Sequence, residues 1–120
     1  MDNGTRTVLV VDDDPQILRL LETMLKPRHV RVLVTPQPAE ALRICESETV
    51  HLLISDVRMP EMDGRKLAER VLKLHPSASV LLISGSSTEA PAVGKASQVR
   101  FLRKPFFPSE LMAELRELLP

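Results

Sequence analysis

Val8-Leu9-Val10-Val11 is an unbroken apolar run of β-branched character, and it limits the fold more than any other stretch of the chain. A strand with one wet face alternates polar and apolar residues. A run without alternation suits a central parallel strand covered on both faces. Such a sheet needs crossover helices, and the sequence supplies them. Asp14 before Pro15 has the form of an N-cap with Pro in the first turn. Ile17, Leu18, Leu21, Met24 and Leu25 then make one helical face that ends before Pro27. A second strand is predicted over Val30 to Val34, and a second helix over Ala39 to Cys45 after the punctuation Pro36-Gln37-Pro38. His51 to Ser55 reads as the third strand. Gly64 leads into a third helix with Leu67, Ala68, Val71 and Leu72 inward, stopped by His75-Pro76. Val80 to Ile83 and Val99 to Leu102 are strands four and five, and Glu110 to Leu119 is the last helix.

This alternation argues for an α/β chain: a single doubly wound, five-stranded parallel sheet whose right-handed crossovers place helices on both faces. The stretch from Ser86 to Gln98 breaks the pattern. It holds Pro91 and Gly94 and no clear apolar stripe, so a short or irregular fourth helix is expected there.

Composition excludes several classes of function. The 120 residues are expected to form one domain, residues 1–120, with no internal repeat. Sixteen basic residues balance sixteen acidic ones, so no global field draws the chain to nucleic acid or to an anionic membrane. Phe101, Phe106 and Phe107 are the only aromatics, too few for a base-stacking platform. The lone Cys45 rules out an internal disulfide and fits a reducing compartment. Neither a signal peptide nor an apolar run of membrane-spanning length is visible, so a soluble cytoplasmic domain is expected. His29, His51 and His75 share no metal-ligand spacing and are read as structural or exposed.

The strand ends carry the chemistry. The first strand stops at Asp12-Asp13-Asp14, the third at Asp56, the fourth at Ser84-Gly85 and the fifth at Lys104-Pro105. If all run parallel, these groups meet at the carboxyl edge of the sheet, where open α/β sheets bind ligands. Carboxylates held together raise one another's pKa values unless a cation sits among them. Hard oxygen ligands with room for water suit Mg²⁺. A hydroxyl and an ammonium facing the same point would serve the oxygens of a transferred phosphoryl group. The constellation points to phosphoryl transfer onto a carboxylate.

From about Thr7 to Leu119 the chain resembles the receiver domain of two-component response regulators. The resemblance rests on Val10-Val11-Asp12-Asp13-Asp14-Pro15, on Ser55-Asp56-Val57-Arg58-Met59-Pro60-Glu61-Met62-Asp63-Gly64, on Ile83-Ser84-Gly85 and on Arg103-Lys104-Pro105-Phe106. It implies the strand order 2-1-3-4-5. It also implies that Asp56 accepts a phosphoryl group from a histidine kinase or histidine phosphotransfer protein. Asp13 and Asp56 would contact Mg²⁺, Asp12 would act mainly through water, and the backbone carbonyl of Arg58 would complete the protein's share of the shell. Ser84 matches the switch hydroxyl, Lys104 the rim lysine and Phe101 the switch aromatic. A cis peptide between Lys104 and Pro105 is implied as well. Such a domain promotes its own phosphorylation and dephosphorylation rather than turning over a separate substrate. It signals to an effector domain or protein outside this chain.

Two departures from the family pattern bear on output. Phe107 stands where a capping residue often precedes the last helix, and its side chain accepts no hydrogen bond. The stretch between Ser84 and Lys104 is short and helix-breaking, which weakens a fourth-helix output surface. Other classes fit less well. A haloacid-dehalogenase-like phosphatase would want Asp-x-Asp-x-Thr/Val, and Asp12-Asp13-Asp14-Pro15-Gln16 fails at Gln16. A phosphorylation-independent binding scaffold would not need the full set of acidic, hydroxyl and amine groups. No Gly-rich nucleotide fingerprint follows the first strand. The sequence ends at Pro120, as expected of a stand-alone receiver or of one cut from a larger regulator or hybrid kinase.

Overall fold

Five short strands pair side by side in the computed structural model, which describes residues 5–85 and 98–119. They are β1 (Thr7–Val11), β2 (Arg31–Thr35), β3 (Leu52–Asp56), β4 (Ser79–Ser84) and β5 (Val99–Arg103). All four pairings are parallel, and the order across the sheet is β2-β1-β3-β4-β5. Among the described residues the helices are α1 (Pro15–Leu25), α2 (Pro38–Ser47), α3 (Gly64–Leu74) and α4 (Pro108–Leu118). The expectation of an irregular fourth helix falls on residues 86–97 and lies outside the described residues.

The unbroken apolar run becomes β1, with every residue buried. Strand alternation splits it between two cores. Leu9 and Val11 face α2 and α3 through Ala41, Cys45, Leu67, Ala68 and Val71. Val8 and Val10 face α1 and α4 through Leu21, Leu25, Leu111 and Leu115. Each fully buried Leu or Val adds roughly 1.5–3 kcal/mol of transfer free energy, so both helical layers are held by apolar burial.

Three of the four described helices begin with proline in the first turn, where its missing N–H costs nothing. Pro38, read from sequence as punctuation, is therefore the first residue of α2, and Pro108 is the first of α4. Pro27 does not end the chain's turning. It sits in a 3₁₀ turn, Lys26–Arg28, that closes on His29 in the left-handed region at φ 56°. Phe107 gives no side-chain cap to α4, as its chemistry demands, but Glu110 reaches back and accepts from the Phe107 N–H at 2.7 Å. That is half of a capping box.

Candidate functional site

Parallel pairing brings the carboxyl ends of β1, β3, β4 and β5 to one edge. Ser55 of β3 lies opposite both Val11 and Leu82, and Asp56 lies opposite Ile83. Asp12 and Asp13 follow β1 directly, so they meet Asp56 across one strand spacing. One carboxylate oxygen from each of Asp12, Asp13 and Asp56 lies within 4.8 Å of the others. Asp12 and Asp56 are buried, while Asp13 is exposed. Lys104, just past β5, extends its Nζ to 3.2 Å from Asp56 Oδ2 and 3.8 Å from Asp12 Oδ2. Its backbone N–H donates to the Ser84 carbonyl at 2.8 Å, and the Lys104–Pro105 peptide is cis.

Each acid is held differently. Asp12 Oδ1 accepts from the Asp14 N–H at 2.9 Å, and Asp14 in turn caps α1 by accepting from the Gln16 N–H at 2.9 Å. Asp56 Oδ1 accepts from the Arg58 N–H at 3.2 Å, leaving Oδ2 to Lys104. Asp12 Oδ2 is buried and has no hydrogen-bond partner among the described residues. Burial, reinforced by the neighbouring Asp56 and Asp13, pushes the Asp12 pKa up to about 6; the Asp14 amide and Lys104 only partly oppose it. A buried orphan oxygen in a cluster of three acids is the unmet demand that a cation would satisfy. The donor set, all hard oxygens, suits a metal ion.

The family model for the response regulator receiver domain matches residues 8–116. This chain belongs to that family. It is a receiver domain of two-component phosphorelays, and Asp12, Asp13 and Asp56 form its acidic pocket. It is 39% identical over 107 residues to the transcriptional regulatory protein GlrR of Escherichia coli (strain K12), which covers 88% of this chain and 24% of that protein. It is 33% identical over 121 residues to the sensor kinase CckA of Brucella abortus (strain 2308), covering 98% of this chain and 13% of that one. The chain thus spans a quarter or less of these two relatives. Among solved structures, the signal receiver domain of an HD domain-containing protein from Pseudomonas fluorescens Pf-5 matches with a TM-score of 0.85 at 30% identity. That match covers 96% of this chain and 94% of the other.

Of the residues singled out in the receiver sequence, the structure gathers Asp12, Asp13, Asp56 and Lys104. Ser84 ends β4 beside them, fully buried. Arg58 presents its amide to Asp56 while its side chain is exposed. Phe101 is not at the rim: it is half-buried against the core shared by α2 and α3, opposite Leu82. Sequence reasoning missed Ser55 and the tight fit of Gly64. A Cβ on Gly64 would stand 2.1 Å from the Asp56 carbonyl oxygen and 3.0 Å from Ser55 Oγ, so only glycine lets α3 start this close to the site. The signal available was the spacing of Asp63-Gly64 behind Asp56. Spacing alone does not show that two backbones touch.

Proposed function

We propose that Asp56 is the phosphoacceptor, taking a phosphoryl group from the phosphohistidine of a histidine kinase or histidine phosphotransfer protein. The observation that carries this reading is the Asp56 carboxylate, held by Lys104 Nζ at 3.2 Å and the Arg58 N–H at 3.2 Å within an acidic cluster. Two fixed donors orient the nucleophile. Lys104, poised between Asp56 and Asp12, can follow the charge as it moves onto the phosphoryl oxygens. Asp12, Asp13, Asp56 and the Arg58 carbonyl would hold Mg²⁺, which when bound neutralises phosphoryl oxygens and the acid cluster together. Ser84 donates its hydroxyl to the phosphoryl group, and Phe101 moves further into its apolar cluster as that hydroxyl turns. The domain thereby assists its own phosphorylation and dephosphorylation, and passes the change to an effector outside residues 1–120. Among the described residues no helix is long and apolar enough to cross a membrane. Balanced charge disfavours direct nucleic-acid binding, so we place the domain in the cytoplasm beside its kinase.

Intact-mass spectrometry tests the assignment. Acetyl phosphate and Mg²⁺ should add one phosphoryl group to the wild type and none to Asp56→Asn. Undiminished labelling of Asp56→Asn would move the acceptor elsewhere.

A further inference from the structure

Ser55 is fully buried and sits outside the acidic pocket, yet it touches the backbone of the proposed phosphoacceptor. Its hydroxyl has one proton to give. The Asp56 carbonyl oxygen lies 2.9 Å from Ser55 Oγ and the Met59 sulfur 4.0 Å away, so the proton goes to the carbonyl. Gly64 closes on the same carbonyl from the start of α3. The N–H of this same peptide, that of Val57, donates to the Ile83 carbonyl at 2.8 Å, and the carbonyl of the following peptide, that of Val57, accepts from the Gly64 N–H at 2.8 Å. Arg58 then returns its N–H to the Asp56 carboxylate. A continuous set of hydrogen bonds therefore runs from the Ser55 hydroxyl, through two peptides, to the carboxylate. Side chains on this face of β3 are otherwise apolar, with Leu53 and Val57 packed in the same core. A hydroxyl there costs free energy unless it bonds, and its short bond goes to the backbone of the proposed phosphoacceptor.

We propose that Ser55 is a positioning residue for phosphoryl transfer: its hydroxyl fixes the Asp56–Val57 peptide and thereby the direction of the Asp56 carboxylate. The inference rests on Asp56 being the acceptor. In the transfer an Asp56 carboxylate oxygen forms a bond to phosphorus while the bond from phosphorus to the donor's leaving group breaks. That group, acetate when acetyl phosphate is the donor, departs with the electron pair. In-line displacement tolerates little misalignment, and an error of about 1 Å in placing a reacting group costs up to about 100-fold in rate.

The test compares wild type, Ser55→Ala, Ser55→Cys and Asp56→Asn, each with acetyl phosphate and Mg²⁺, following the phosphorylated fraction by intact mass over time. Donor removal then gives the rate constant for loss of the group. Cysteine fills the site with a somewhat larger sulfur and is only a weak donor, so with alanine it separates filling the site from bonding there. Both Ser55 variants should reach the wild-type extent of labelling more slowly, with rate constants for gain and loss lowered about tenfold. A purely structural defect would lower the labelled fraction by removing folded protein and leave the rate constants of the remainder unchanged. Wild-type rate constants in Ser55→Cys, or a loss confined to extent, would overturn the proposal. Labelling that persists in Asp56→Asn would overturn the phosphoacceptor reading instead, whatever the Ser55 variants do.

Discussion

The two edges of the sheet are built on opposite terms. At the amino edge the polar groups answer one another. The Thr7 N–H donates to His51 Nδ1 at 2.9 Å, and the His51 N–H returns a bond to the Thr7 carbonyl at 2.9 Å. The Ser79 N–H closes onto the His51 carbonyl at 2.9 Å. His75 Nε2 donates to the Cys45 carbonyl at 2.8 Å, and Gln98 Nε2 to the Ala78 carbonyl at 3.1 Å. At the carboxyl edge three acids crowd together against one lysine, and Asp12 keeps a buried oxygen without a hydrogen-bond partner among the described residues. The same parallel strands end in a satisfied network on one side and an unsatisfied one on the other. Under the proposed function, the unsatisfied edge gives up stability to stay ready for a cation and a phosphoryl group. The satisfied edge holds the sheet that makes this possible.

The largest effect should come from Gly64→Ala, which places a methyl group against the Asp56 carbonyl. Overpacking of this kind costs about 3 kcal/mol. A denaturant midpoint should fall accordingly, and phosphoryl acceptance should fall with it because the same backbone orients Asp56. If Gly64→Ala melts and labels like the wild type, the close approach at the carboxyl edge is not a constraint.

At the other edge, His51→Ala removes the acceptor for the Thr7 amide and should cost about 1–2 kcal/mol. Its phosphorylation rate, measured well below the melting temperature, should match the wild type. A slowed rate in this variant would mean that the two edges are coupled. The neutral ring must accept at Nδ1, so its proton sits on Nε2, a tautomer visible by nitrogen NMR.

Mg²⁺ should stabilise the wild type by roughly 1.4 kcal/mol at about ten times its dissociation constant, a rise of a few degrees in melting temperature. Asp13→Ala should shrink that response, while His51→Ala should keep it. The chain has no Trp or Tyr, so calorimetry or circular dichroism must read the transition. Equal responses in wild type and Asp13→Ala would place the ion elsewhere.

Much of this was legible in the residues. The unbroken run at β1 announced a buried parallel strand, and the order of strands and helices announced two helical layers. The acidic pocket was legible because its members are charged and sit at strand ends. Strand limits shifted by a residue: β2 is Arg31–Thr35 and β3 is Leu52–Asp56, so Asp56 is itself the last ladder residue. Polarity marked Asp56 as a loop start, but backbone pairing does not depend on side-chain charge. Pro38 reads as punctuation because proline signals both an end and a beginning, and only the following turn decides. Ser55 and the amino-edge bonds of His51 and His75 stayed hidden for another reason. Their partners are backbone atoms, and backbone atoms leave no mark in a sequence.

One measurement goes to the centre of the account, that the chain leaves charge at the carboxyl edge unanswered. Burial raises the Asp12 pKa from an ordinary 3.8 to about 6. The folded state therefore binds this proton more tightly than the unfolded state. Its contribution to stability is fully present below about pH 4 and is lost as pH rises through about 6. Asp12→Asn keeps the shape and removes the charge. Calorimetric stabilities of wild type and Asp12→Asn should be compared between pH 4 and 7 in the presence of a chelator. Near pH 4 the two proteins should be close. By pH 7 Asp12→Asn should be the more stable by about 1–2 kcal/mol, and saturating Mg²⁺ should narrow the gap by favouring the wild type. A variant less stable than the wild type at pH 7 without metal would show that Asp12 is already satisfied by its own chain, and would contradict the account.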